Sequence, residues 1–181
     1  MPIIGNALMP FFVPGGGDLY LIKNGIVQSG FTFTGAGKRY DTGSTVTPSI
    51  TYQTTDGGRI AALSQTTSTR KGSKYYSNSI ANIIQDYSAL HIKCLRYLRG
   101  NTNAKITIGT YVEAGETSYA PSNFKQSITK TTSDDSSVVQ LDISLSSSSF
   151  VSNVCVCFAW SVPSNGSNYG VYIYDVWLSN S

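Results

Sequence analysis

Residues 169–181 read YGVYIYDVWLSNS. In a regular strand these side chains alternate, with Val171, Ile173, Asp175 and Trp177 on one side and Tyr172, Tyr174, Val176 and Leu178 on the other. Neither set is polar. A strand that is apolar on both faces belongs inside a sheet or under a covering element, and an acid among Val, Ile and Trp needs hydrogen-bond donors to be tolerated. The stretch therefore reads as a closing core strand. Asp175 is expected to tie down a neighbouring loop, and Trp177 to be structural.

Working outward, the rest of the chain has the same character. Among 181 residues only 13% are charged, while Tyr alone contributes 12 and Gly 17. Aromatic and β-branched residues suit a pleated, half-buried surface, and Gly, Asn and Asp serve its turns. Asn24-Gly25 sits between the apolar runs of LYLIKNGIVQSG, a strong hairpin signal, and Asp56-Gly57-Gly58 repeats it in ITYQTTDGGRIAAL. Further strands are expected at 31–34, 104–112, 124–129, 137–144 and 150–162. No internal repeat is evident. The predicted fold is all-β, an antiparallel β-sandwich of jelly-roll type spanning residues 18–181, with an extended N-terminal arm at 1–17.

Residues 80–99 carry two periodicities. Ile80, Ile83, Ile84, Tyr87, Cys94, Leu95 and Leu98 recur at helical spacing, whereas Leu90, Ile92 and Cys94 alternate with His91 and Lys93. We read Leu90–Tyr97 as strand with a helical turn before it.

The arm MPIIGNALMPFFVPGGG is apolar but is not read as a signal peptide. It lacks a basic start, and Pro2, Pro10 and Pro14 break it below the length needed to span a bilayer. Ile3, Ile4, Leu8, Met9, Phe11, Phe12 and Val13 need covering, either by their own domain or by a neighbouring chain. The Gly15–Gly17 hinge favours the neighbour, which makes these residues a candidate assembly anchor.

Several function classes are disfavoured. The net charge is +3, but Arg70, Lys71 and Lys74 form the nearest thing to a basic cluster and read as solvated loop charge, so no nucleic-acid partner is expected. Three cysteines, Cys94, Cys155 and Cys157, do not make a disulfide framework, and Cys155 and Cys157 share one face of a strand as buried thiols. No metal or cofactor is expected, because His91 is the only histidine. A Ser-His-Asp arrangement would need that single ring, which reads as an exposed strand histidine. Glu113 and Glu116 are read as solvated loop acids rather than a glycosidase pair. The chain is read as non-enzymatic. Loop aromatics with amide neighbours, Tyr75, Tyr76, Tyr119 and Tyr169 with Asn165 and Asn168, are the candidate glycan-binding residues, since sugar rings stack on Tyr while amides bond their hydroxyls.

The ordered series QDYSALHIKCLRY, AKITIGTY, VVQLDIS, FVSNVCVCFAW and GVYIYDVWL, over residues 80–178, resembles that of galactose-binding-like jelly-roll domains. The likeness is nearest to those in structural and tail-associated proteins of phages and prophages. No acidic or amide calcium site of the kind many such modules carry can be matched. The resemblance implies a virion structural protein, made in the host cytoplasm. Its partners would be other virion proteins, copies of itself and a host-surface glycan, without membrane insertion. The alternative is a carbohydrate-binding module of a bacterial surface or secreted protein.

Overall fold

A computed structural model describes residues 17–39, 41–65, 71–99, 104–113, 121–131, 133–162 and 168–180. Among them are twelve strands and four single 3-10 turns, and no α-helix. The strands are β1 (Leu19–Lys23), β2 (Ile26–Val27), β3 (Phe33–Arg39), β4 (Ser49–Gln53), β5 (Arg59–Leu63) and β6 (Lys71–Ser77). They continue with β7 (Ala89–Tyr97), β8 (Lys105–Val112), β9 (Phe124–Thr131), β10 (Val139–Ser144), β11 (Val154–Val162) and β12 (Gly170–Ser179). All pairings are antiparallel. One sheet runs β10-β7-β12-β1-β2, with β5 beside the first part of β12 and β4 on β5; the other runs β3-β6-β11-β8-β9. The result is a jelly-roll sandwich.

Period-two alternation builds the core. In β7, Leu90, Ile92 and Cys94 are fully buried while Lys93 between them is exposed. They meet Ile106, Ile108, Val156, Phe158 and Trp160 of the opposite sheet in one cluster. Burying each large apolar side chain contributes roughly 1.5–3 kcal/mol, which is what holds the two sheets together.

The closing strand is central, as its apolar character predicts, but it is not regular. Ile173 pairs with Cys94 and Asp175 with Lys93, so Tyr174 is an extra residue in a β-bulge. The bulge resets the alternation. Val171, Ile173, Val176 and Leu178 all point into the core, whereas Tyr172, Asp175 and Trp177 lie half-buried on the outer face. A strand that read as apolar on both sides thus sorts its aliphatic residues inward and its polar and aromatic ones outward.

The bulge is also where β12 changes neighbour. Gly170–Ile173 pair with β5, and Val176–Leu178 pair with β1. Both predicted hairpin turns meet it there. Gly25 N donates to Tyr174 O at 2.7 Å and Asn24 N to Asp175 Oδ1 at 2.8 Å. Tyr174 Oη accepts from Arg59 Nη1 at 3.1 Å and donates to Asp56 Oδ2 at 3.2 Å. The turns touch so closely that a Cβ on Gly58 (φ 109°) would lie 2.3 Å from Asn24 O.

Residues 71–77, KGSKYYS, were expected as loop and form instead β6, between β3 and β11. The lysines expected to be solvated are buried, Lys71 to 1% and Lys74 to 0% exposure. The error has a physical source: Lys, Gly and Ser give a strand no apolar alternation to recognise. In the ambiguous segment, a 3-10 turn at Ile84–Asp86 precedes β7, matching the strand reading. The three cysteines are free and buried. Burial pushes the Cys94 and Cys155 thiols up to about 12. The arm residues Ile3, Ile4, Leu8, Met9, Phe11, Phe12 and Val13 lie outside the described residues.

Candidate functional site

The inward row of β6 begins in the core and ends in a cleft. Phe33, Gly35, Gly37 and Arg39 of β3 pair with Ser77, Tyr75, Ser73 and Lys71. The Phe33 and Tyr75 rings, 5.2 Å apart, set this row toward the space between the sheets. Farther along, Ser73 and Lys71 replace apolar side chains, and a cavity of about 430 Å³ opens, lined by Thr45, Val46, Thr47, Gln65, Lys71 and Ser73.

Local chain geometry builds its walls. After β3 the backbone turns and returns, with Arg39 N donating to Ser44 O at 2.9 Å and Val46 N to Gly37 O at 3.0 Å. That return lays Thr45–Thr47 against β3. Gly37 permits the approach, because a Cβ there would sit 2.7 Å from Val46 O and 2.8 Å from Ser73 Oγ. Gln65 follows β5, and its carbonyl accepts a hydrogen bond from Lys71 Nζ. Burial first, and the Arg39 charge second, push the Lys71 ammonium below its ordinary value. Arg39 grips Asp41 with Nε–Oδ1 at 3.1 Å and Nη2–Oδ2 at 2.9 Å, which holds that carboxyl below its usual range.

Three hydroxyls, an amide and an ammonium give this cleft both donors and acceptors, the groups that a polyhydroxylated ligand requires. The described lining holds no carboxylate and no imidazole, so it offers no general acid–base pair. A smaller cavity of about 160 Å³ lies beyond the far end of β6, lined by Ser29, Gly30, Phe31, Asn78, Ser79, Ile80, Asn82 and Ile83.

The expected exposed histidine is placed differently. His91 Nδ1 lies 2.6 Å from Asp142 Oδ1, and Nε2 lies 2.7 Å from Ser179 Oγ. The order is that of a serine-hydrolase relay, yet Ser179 is only 2% exposed, so no acyl group can reach its hydroxyl. The same ring stacks on Trp177 at 4.9 Å, and Tyr20 stacks on Trp177 at 5.7 Å. Since β7 and β1 flank β12 on opposite edges, both indole faces are covered and neither is open to a sugar. The network stitches β10, β7, β12 and β1 together. Its carboxylate, Asp142, is held below its ordinary value by the His91 bond and then by Gln140.

Among the described residues, the predicted glycan residues do not converge. Tyr75, expected in a loop, is 4% exposed in the core, and burial lifts its hydroxyl to about 12. Tyr169 is also a core residue, 7% exposed, because its backbone N–H docks on Ser64 Oγ at 3.1 Å. Strand pairing carries the Tyr75 ring inward, and the Ser64 contact just before β12 does the same for Tyr169. Tyr76 is half-buried on the outer face of β6, with Lys74 Nζ 4.6 Å from its ring. Asn168 is exposed, and its N–H bonds Ser64 O at 2.9 Å, one residue from the cleft's Gln65. Tyr119 and Asn165 lie outside the described residues, as does Glu116. Glu113 is not a solvated acid but pairs with Lys74 at 3.3 Å. Sequence reasoning missed Thr45, Thr47, Gln65, Lys71 and Ser73. The one available signal was the two-residue spacing of Lys71, Ser73 and Tyr75.

Among the described residues no cluster of three or more His, Cys, Asp or Glu could hold a metal, and no helix is long and apolar enough to cross a membrane. No family model matches the sequence, and no curated protein matches it. Solved structures do. The family 11 carbohydrate-binding module from Clostridium thermocellum, in complex with a β-1,3-1,4-mixed-linked tetrasaccharide, matches 92% of this chain and 98% of its own, with TM-score 0.53 and 8% identity. The family 11 module of a cellulosomal cellulase from the same organism matches 92% of this chain and 96% of its own, with TM-score 0.52 and 9% identity. At such identities the likeness is one of fold: the chain shares the jelly-roll sandwich of carbohydrate-binding modules, and nothing found links it to phage structural proteins.

Proposed function

We propose that this chain is a non-catalytic glycan-binding module that takes its ligand into the cleft between β3, β6 and Thr45–Thr47. The observation that carries the reading is the cleft itself, about 430 Å³ of hydroxyl, amide and ammonium lining in the mouth of a sandwich. Its size suits a ligand of one to a few sugar rings, since small-molecule sites run from about 300 to 1,000 Å³. The shared fold with modules solved in complex with oligosaccharide supports the same reading. Virion attachment through residues 1–17 rests on the apolar arm and on the sequence resemblance, and glycan binding is the reading that the fold and the cleft support.

The test is affinity electrophoresis and calorimetry against a panel of plant and bacterial polysaccharides. Wild-type protein is expected to bind at least one. The double variant Thr47→Val, Gln65→Ala should bind it at least about tenfold more weakly, two lost hydrogen bonds being enough for that. Its melting curve should not move. Wild-type protein that is retained by no polysaccharide ends this reading.

A further inference from the structure

We propose that the smaller cavity, beyond the far end of β6, is a second ligand site and takes a single neutral sugar ring. The inference goes beyond the reading of the larger cleft, and the two stand or fall separately.

Two turns build the cavity. Phe31 N donates to Gln28 O at 3.1 Å, closing the turn that follows β2, in which Gly30 has φ 91°. After β6, Ile80 N donates to Val154 O at 2.8 Å, and Ile83 N and Ile84 N both donate to Ile80 O at 3.0 Å. Asn78 joins the two turns. Its N–H donates to Thr32 O at 2.7 Å while its Oδ1 accepts from Thr32 N at 3.1 Å, which carries the β3–β6 pairing one step past Phe33 and Ser77. The space of about 160 Å³ is thus framed by main-chain bonds.

Its lining divides by chemistry. Ile80, 2% exposed, belongs to the core, and Phe31 and Ile83 pack against that core, so one part of the lining is apolar and includes a ring. The rest holds carboxamides and hydroxyls. Asn78 Nδ2 uses at most one of its two N–H groups, on Gly30 O at 3.4 Å, so a donor remains. Asn82 is exposed, and its carboxamide has no partner among the described residues. Ser79 Oγ accepts from Ala81 N at 3.3 Å and keeps its proton for a ligand. Among the described residues that line the cavity there is no Lys, Arg, Asp or Glu.

That combination defines the ligand. A charged group would leave water without an opposite charge to meet it, so the site favours neutral ligands. A wholly apolar one would cover the carboxamides without bonding them. A sugar ring suits both parts, with its C–H face on the apolar side and its hydroxyls bonded to Asn78, Asn82 and Ser79. Size sets the limit at one ring, since ordinary small-molecule sites begin at about 300 Å³. Ser73 of the larger cleft and Asn78 are separated by roughly 16 Å of extended chain along β6, so one ring cannot occupy both cavities.

The test is an NMR titration of the isotope-labelled full chain with the methyl glycosides of glucose, galactose, mannose and xylose, and with glucuronate as the charged probe. At least one neutral glycoside should shift the Asn78 and Asn82 carboxamide signals saturably and independently of salt, with a dissociation constant on the order of 1–10 mM. Asn82→Ala, at an exposed position that makes no described hydrogen bond, should weaken that binding about fivefold, the worth of one hydrogen bond, without moving the melting temperature. The double variant Thr47→Val, Gln65→Ala should leave it intact. No shift at Asn78 or Asn82 with any of the four neutral glycosides overturns the second site, whatever the larger cleft binds. Undiminished binding by Asn82→Ala overturns it too, and glucuronate binding as tightly as the best neutral glycoside overturns the neutral assignment. Saturable shifts at Asn78 and Asn82 in a chain that no polysaccharide retains would uphold this site while removing the role proposed for the larger cleft.

Discussion

β6 carries two buried lysines three residues apart, and they leave opposite faces of their sheet. Lys74 points to the outer side, where the protein itself satisfies it: Nζ lies 4.6 Å from the Tyr76 ring centre, 4.9 Å from that of Tyr111, and 3.3 Å from Glu113 Oε2. Lys71 points to the inter-sheet cleft, bonds the Gln65 carbonyl and faces a second cation across the ladder. Burial of a charge alone therefore does not separate structure from function. The environments differ, because Lys74 sits in an aromatic cage beside a carboxylate whereas Lys71 lines a cavity of hydroxyls and an amide.

The largest expected effect comes from breaking the cage. Tyr111 is fully buried, packs edge-on against Phe124 at 4.9 Å and roofs Lys74, so Tyr111→Ala should cost about 3–5 kcal/mol in urea unfolding. A loss below about 1 kcal/mol would mean that Lys74 does not depend on this wall. The next comparison sets Lys74→Met against Lys71→Met. The first removes the Lys74 charge beside Glu113, which is 29% exposed, and should cost about 2 kcal/mol, less than breaking a fully buried pair. The second should cost less than the first, since it removes the opposition to Arg39 together with the bond to the Gln65 carbonyl. Equal losses in the two variants would erase the distinction drawn between them.

The smallest effect belongs to a solvent-facing contrast, the His91–Asp142 pair, where Asp142 is 58% exposed. The folded-state value of Asp142 is lowered, so its contribution is fully present above the ordinary carboxylate value near 3.9 and fades as pH falls through the depressed one. Screening keeps the amplitude to about 0.5 kcal/mol or less. Asp142→Asn should accordingly flatten the acid limb of the stability curve only slightly, as read from melting temperature against pH.

These contrasts explain what could be read from the residues. β7, β8, β10 and β11 announce themselves because one or both of their faces are continuously apolar. Asn24-Gly25 and Asp56-Gly57-Gly58 mark their turns because few residues tolerate the positive φ they adopt. β6 was invisible for the reason that it matters: its inward row turns polar where it leaves the core for the cleft, so the alternation fails there. The candidate site was illegible as a whole. Thr45–Thr47, Gln65 and Lys71–Ser73 come together only through the return of the chain after β3 and the pairing of β3 with β6. Aromatic density pointed to Tyr75 and Tyr169, both of which the core claims. A bulge leaves no mark in composition, which is why the outward turn of Trp177 could not be anticipated.

The position of β12 has a consequence for how the protein is made. β1 and β5 both hydrogen-bond to it, on either side of the Tyr174 bulge, and β7 borders it along its whole length. It follows every other described strand in the chain. The early hairpins thus emerge from the ribosome without the neighbour that fixes their register, and their apolar faces must wait until the final strand arrives. Such non-local closure makes for slow folding and a long exposure to aggregation. A chain shortened within residues 170–179 would lose not one strand but the shared partner of three, and would be expected to accumulate as insoluble material rather than as a slightly weakened domain.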